Sequence, residues 1–163
     1  MRWIAATLLL STPTAALAED GITETADAQP SKHLVYVEAL GKGGLYGIGY
    51  EHGITSRLAL GAAGSFAVVS DQQVLTFAPY VHGTIVAGRR HAFFTEVGAV
   101  LAHSHLPSPV EGWDGMSDSG GGGFASLGWE YRRNHVVLRA SGSVVAGEGG
   151  IGPMFGFAVG VRP

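Results

Sequence analysis

The chain has 163 residues, with no cysteine, 26 glycines, 7 prolines, 46% apolar residues and only 14% charged ones. That length suits one domain, the missing cysteines exclude a disulfide scaffold and a thiolate nucleophile or metal site, and a formal charge of −3 offers nucleic acid no basic field. The charged fraction falls well below the roughly 25% of soluble domains, which excludes a broad polar surface, and no apolar run reaches the length of about eighteen residues that a membrane-crossing helix needs.

Residues 1–18 have the pattern of a secretory signal peptide: Arg2, a short apolar run from Trp3 to Leu10, then Ala16-Leu17-Ala18 as a small-x-small cleavage site. Residues 19–32 carry Glu19, Asp20, Glu24, Asp27 and Pro30 without apolar periodicity, as a flexible segment does. From His33 to the end at Pro163 the period is two. Strands are expected near 33–40, 45–53, 57–69, 73–87, 91–104, 121–132, 135–146 and 150–161. The breaks fall at glycine-, serine- or arginine-containing turns and at one long connection from His105 to Gly120. Most of these strands run about nine to thirteen residues, long enough for the roughly 9–11 that cross a bilayer at a tilt and longer than the roughly five or six usual in soluble sheets. The glycine runs 41–44 and 120–123 precede no helix and so are not phosphate cradles. Pro79 and Pro153 lie inside strands and each removes a ladder donor, which predicts a bulge at each.

Alternation gives every strand two faces. Val37, Ile48, Leu60, Phe77, Val97, Leu127 and Phe155 mark an apolar one. The other is crowded with glycine, alanine and serine and carries Glu38, Glu51, His82, Glu96, Glu130 and Arg139. A soluble barrel would turn the apolar face inward. Three features point it outward instead, toward lipid. Small residues suit the cramped lumen of an eight-stranded barrel. Aromatic residues gather near the strand ends, with Tyr50, Phe93, Trp129 and Tyr131 at one rim and Tyr46, Phe66 and Phe155 toward the other. The carboxylates share their face with Arg139 and His82 and can pair there. The six polar residues are therefore expected to form an ion network in the lumen. With Tyr80 alongside, it would act as a structural plug, the other readings being a narrow gate or a proton path. Four carboxylates against one arginine leave excess negative charge, so not all of them are expected to be ionised together.

The long connection is the candidate contact surface, through Leu106, Val110, Glu111, Trp113, Asp114 and Met116. Exposed tryptophan and methionine suit a partner or the lipid headgroup layer. His103, Ser104 and His105 stand beside Glu111, Asp114 and Asp118, so the residue types for a serine hydrolase or a divalent-metal site are present, though a solvated loop is the simpler reading.

Two hairpins echo each other: Gly49-Tyr50-Glu51-His52 and Gly128-Trp129-Glu130-Tyr131 each precede a turn and an apolar return strand. With the leader, the eight strands and the interior Glu/Arg set, residues 33–161 resemble the small eight-stranded outer-membrane β-barrels of the outer-membrane protein A and X type. The resemblance implies an all-β, antiparallel, up-and-down transmembrane barrel with periplasmic termini and arginine-bearing periplasmic turns. Its outward loops are acidic, with Lys42 as their one lysine. The expected role is structural or surface contact with outer-membrane lipids, lipopolysaccharide or an extracellular partner, as a monomer. No catalysis, cofactor, metal or nucleic acid is expected. One departure is the ending Val159-Gly160-Val161-Arg162-Pro163, where such barrels usually close on an aromatic residue. The lipid A deacylases are similar in size and strand number, but their His-x-Ser spacing is missing at residues 103–105.

Overall fold

Period-two patterning over lengths that span a bilayer has one stable outcome, a sheet closed on itself so that no backbone edge is left unpaired. The computed structural model, which describes residues 32–42, 44–69, 72–108, 115–148 and 150–163, shows that outcome. Eight strands form a closed barrel in sequence order, each antiparallel to its neighbours. They are β1 (His33–Gly41), β2 (Gly44–Gly53), β3 (Leu58–Val69), β4 (Gln72–Ala87), β5 (His91–Leu106), β6 (Met116–Arg133), β7 (Val136–Gly147) and β8 (Gly150–Val161). The described residues contain no helix. Segments 1–18 and 19–31 lie outside the described residues.

Seven expected strands match to within two residues. The exception is β6, whose ladder with β5 continues to Leu106↔Met116. Met116 to Gly120 are therefore strand, paired with Ala102 to Leu106, and the connection shrinks from 105–120 to 107–115. Ser117, Asp118, Ser119 and Gly120 offer no apolar alternation, so the period of two could not reveal them as strand. The proline expectation also fails. The ladders at Ala62↔Pro79 and Val144↔Pro153 keep their register, and the register shift in β4 and β5 lies between Thr84 and Val86. Pro153 stands beyond the last β1–β8 pair, Ala39↔Phe157, with no partner strand on that side to distort.

The faces sort as the alternation predicts. Val37, Ile48, Leu60, Phe77, Val97, Leu127 and Phe155 are exposed on the outside. Leu34, Tyr36, Ala63, Ala78, Tyr80, Phe124, Val137 and Ala158 pack together inside. At the end of the barrel where the chain enters and leaves, Trp129 stacks on Tyr131 and His91 on Trp129, while Tyr131 itself is half-buried. The lumen rings fit because glycines face them. A Cβ on Gly49 would come 2.1 Å from the Tyr36 ring, and one on Gly128 would come 2.2 Å from Phe94.

The β1–β2 hairpin departs from the regular barrel. Its pairing with β3 stops at Ile48↔Gly64 and that with β8 at Ala39↔Phe157, which leaves the tip without lateral partners. Leu40 has left-handed backbone (φ 59°), and Gly44 has φ 102°. The alternation breaks there, so Ala39 and Leu40 are both exposed and Gly41 and Lys42 both buried. The tip folds inward across the mouth. Gly41 lies directly over Glu38, where a Cβ would sit 2.1 Å from the carboxyl carbon.

Candidate functional site

The strand register decides which polar side chains meet. Asn134 and His135 make a two-residue turn that sets Glu130 opposite Arg139, and the β4–β5 ladder sets His82 opposite Glu96. Glu51, one step around the barrel, is set opposite Gly61, whose missing side chain leaves room for the Tyr80 ring that bonds to Glu51. Glu38, Glu51, His82, Glu96, Glu130 and Arg139 are all buried, Glu130 completely.

Arg139 is the centre of the group. Its Nη1 and Nη2 donate to the two oxygens of Glu51, the second at 2.8 Å, and its Nε donates to Glu130. Nη1 also lies 3.7 Å from Glu96. The guanidinium lies over Phe94, 5.3 Å from its centroid. His82 Nδ1 lies 3.3 Å from Glu96 and 3.7 Å from Glu51, its ring stacked on Phe94 at 4.9 Å. Tyr80 donates to Glu51 at 2.8 Å and shares a 2.7 Å hydrogen bond with Tyr36.

The expectation of a lone arginine among four carboxylates is corrected here. Lys42 is no outward loop residue. It reaches into the lumen, donating to Glu96 at 2.8 Å and to Glu38 at 3.4 Å, with its Nζ 4.5 Å from the Tyr80 centroid. Burial works against its ammonium, but Glu96 and Glu38 more than offset that and hold its pKa above the usual lysine value. At the other end Arg132 pairs with Glu130, and Arg162 Nη2 comes within 3.6 Å of the same carboxylate. Four cations thus face four carboxylates, and charge balances without protonation of the carboxylates.

Tyr36, Phe94, Arg132 and Arg162 could have been found by extending the polar-face count by steps of two. Lys42 could not, because the turn at Leu40 resets the alternation. Glu51, His82 and Glu96 bring one ligand atom each within 4.8 Å of the others, close enough for a metal ion. Arg139 and Lys42 already satisfy both carboxylates, so a dication there would face two resident cations.

Of the contact-loop residues, Leu106 and Met116 are exposed and end the β5–β6 ladder, while Val110, Glu111, Trp113 and Asp114 lie outside the described residues. His103 and His105 share hydrogen bonds across the hairpin with Ser119 (2.7 Å) and Ser117 (2.8 Å), not with Ser104. Among the described residues no carboxylate orients either ring: Asp118 accepts from the Ser119 N–H instead. Among the described residues no hydrolytic triad is assembled here.

An apolar belt facing outward around a charge-paired lumen defines a small transmembrane β-barrel, with inside and outside exchanged relative to a soluble one. Solved structures agree on the fold. The N-terminal β-barrel domain of Pseudomonas aeruginosa OprF superposes with a TM-score of 0.62 at 16% identity, over 83% of this chain and 100% of that one. Ail, the attachment invasion locus protein of Yersinia pestis, gives 0.52 at 10% identity over 80% of this chain and 91% of that one. Its complex with the heparin analogue sucrose octasulfate gives 0.53 at 10% identity, over 80% and 94%. No family model and no curated protein sequence matches the chain.

Proposed function

We propose that this is an outer-membrane barrel that works through its outer surface, with a lumen kept shut and no catalysis of its own. Residues 1–18 would direct it across the inner membrane, the termini would face the periplasm, and the β5–β6 hairpin would face outward. The observation that carries this reading is the inward β1–β2 tip, which places Lys42 on Glu96 and Glu38 and so closes the mouth over a network already fastened by Arg139. An eight-stranded lumen is only just wide enough for its side chains, and here Arg139, Lys42 and the carboxylates between them occupy its middle. The partners proposed are outer-membrane lipids, lipopolysaccharide and an extracellular partner met by the rim around 107–115, the protein acting as a monomer.

The sulfated ligand in the Ail complex is a guide to what differs here. The outer connections carry Asp71, Glu111, Asp114 and Glu148, with Asp118 on the outer end of β6, and their single lysine is turned into the lumen. This favours a basic patch on a partner, or cation-bridged lipopolysaccharide, over a free polyanion.

Planar-bilayer recording tests the closed lumen, and mass spectrometry of lipid A from cells with and without the protein tests the absence of lipid chemistry. The expected results are no conductance steps and identical lipid A. Stable steps would replace the plug with a pore, and a changed acyl pattern would make the protein an enzyme.

A further inference from the structure

The end of the barrel opposite Lys42 is built differently. A cavity of about 490 Å³ opens there, with Lys32, Arg57, Arg132 and Arg162 on its walls and Glu51 and His82 at its depth. These four cations come from four separate segments: the approach to β1, the β2–β3 turn, the end of β6 and the residue after β8. Each is anchored through its own backbone. The Lys32 carbonyl accepts from Gly53 N–H at 2.6 Å and the Arg57 carbonyl from Thr84 N–H at 2.8 Å. Arg132 N–H donates to the Arg90 carbonyl at 2.7 Å, and Arg162 N–H to the His135 carbonyl at 2.8 Å.

Arg132 and Arg162 already count against the lumen carboxylates, so the surplus charge of this cavity is that of Lys32 and Arg57. Glu51 is taken by Arg139, and Glu130 is shared by Arg132, Arg139 and Arg162. Among the described residues, Lys32 and Arg57 have no acidic partner. The buried Nε of Arg162 also lacks a hydrogen-bond acceptor, alone among the buried side-chain nitrogens and oxygens of the described residues. A buried donor without an acceptor is unfavourable unless something supplies one. Arginine forks held on a fixed backbone match phosphate oxygens.

We propose that this cavity binds a phosphate-bearing ligand of headgroup size, with the phosphate held between Arg57 and Arg162. The volume lies within the range of about 300–1,000 Å³ typical of small-ligand sites and leaves room for an organic group beyond the phosphate. This site stands at the terminus end and does not depend on what the outer rim contacts.

The test uses the full chain in non-ionic detergent. In one arm glycerol 3-phosphate is titrated calorimetrically; in the other, phosphatidylglycerol in mixed micelles is followed by native mass spectrometry. Saturable one-to-one binding in the first arm identifies a soluble phosphate ester, and a retained lipid in the second alone identifies a membrane headgroup. Either supports the site if Arg57→Gln with Arg162→Gln weakens it at least tenfold while Arg89→Gln does not. Arg89 is an exposed arginine that is absent from the cavity wall. Should the double variant fail to fold, Lys32→Gln with Arg57→Gln replaces it, with the same tenfold loss expected. No binding in either arm, or binding equally weakened by Arg89→Gln, overturns the proposal.

Discussion

Replacing Arg139 by methionine removes the one group that touches both ends of the lumen network. The side chain is buried, donates twice to Glu51 and once to Glu130, and lies near Glu96. Its loss is uneven. Glu130 keeps Arg132 and Arg162, and Glu96 keeps Lys42, but Glu51 is left with only His82 at 3.7 Å and the Tyr80 hydroxyl. One carboxylate is thus stranded, and breaking a buried pair in this way costs about 3–5 kcal/mol. Glu51→Gln should cost less, because Arg139 retains Glu130 and the neutral amide can still accept from Tyr80. The double variant Glu51→Gln with Arg139→Met should recover part of the loss. Urea titration of protein folded in lipid vesicles, followed by tryptophan fluorescence and by heat-modifiable gel migration, measures all three. A cost below about 1 kcal/mol for Arg139→Met, or a larger cost for Glu51→Gln, would refute the view that Arg139 holds the network together.

Leu60→Arg, on the lipid face of β3, should destabilise the barrel by about 2–4 kcal/mol. Ser126→Ala, which removes only a hydrogen bond to Ser143 inside, should cost about 1 kcal/mol in the same titration. Gly128→Ala should cost about 1–3 kcal/mol, because the new Cβ meets the Phe94 ring and the Ala140 carbonyl; Gly120→Ala, in open space, should be close to neutral. A short Gly/Ser linker in place of 107–115 should leave heat-modifiable migration intact while ending any surface binding. Lys42 contributes stability fully present below the unfolded lysine pKa of about 10.4 and lost as pH rises above it, so the gap between wild type and Lys42→Met should narrow in alkali.

Much of this architecture is legible in the sequence because lipid enforces a strict period of two. Glu130 and Arg139 can be matched across their hairpin from the turn at Asn134 alone. Legibility ends where backbone conformation, not side-chain pattern, decides. The inward Lys42 depends on Leu40 adopting a left-handed φ and on a hairpin tip released by both neighbouring strands. Met116 to Gly120 carry no apolar alternation and so read as loop, although they pair with Ala102 to Leu106. The basic mouth gathers residues from positions 32, 57, 132 and 162, a grouping that only barrel closure creates.

Closure itself is unequally secured. The first and last strands meet through five residue pairs, Val35↔Val161 to Ala39↔Phe157, whereas β5 and β6 share a ladder from His91↔Tyr131 to Leu106↔Met116. A ring yields where it is stitched most sparsely. Opening along that seam would part Glu38 from the wall of β8 and free Arg162 from its place beside the cavity, so both mouths would loosen in one event. The same seam joins strands most distant in sequence, which chain entropy makes the last to find each other. The final stitch in making the barrel is therefore also the first to give way when it comes apart.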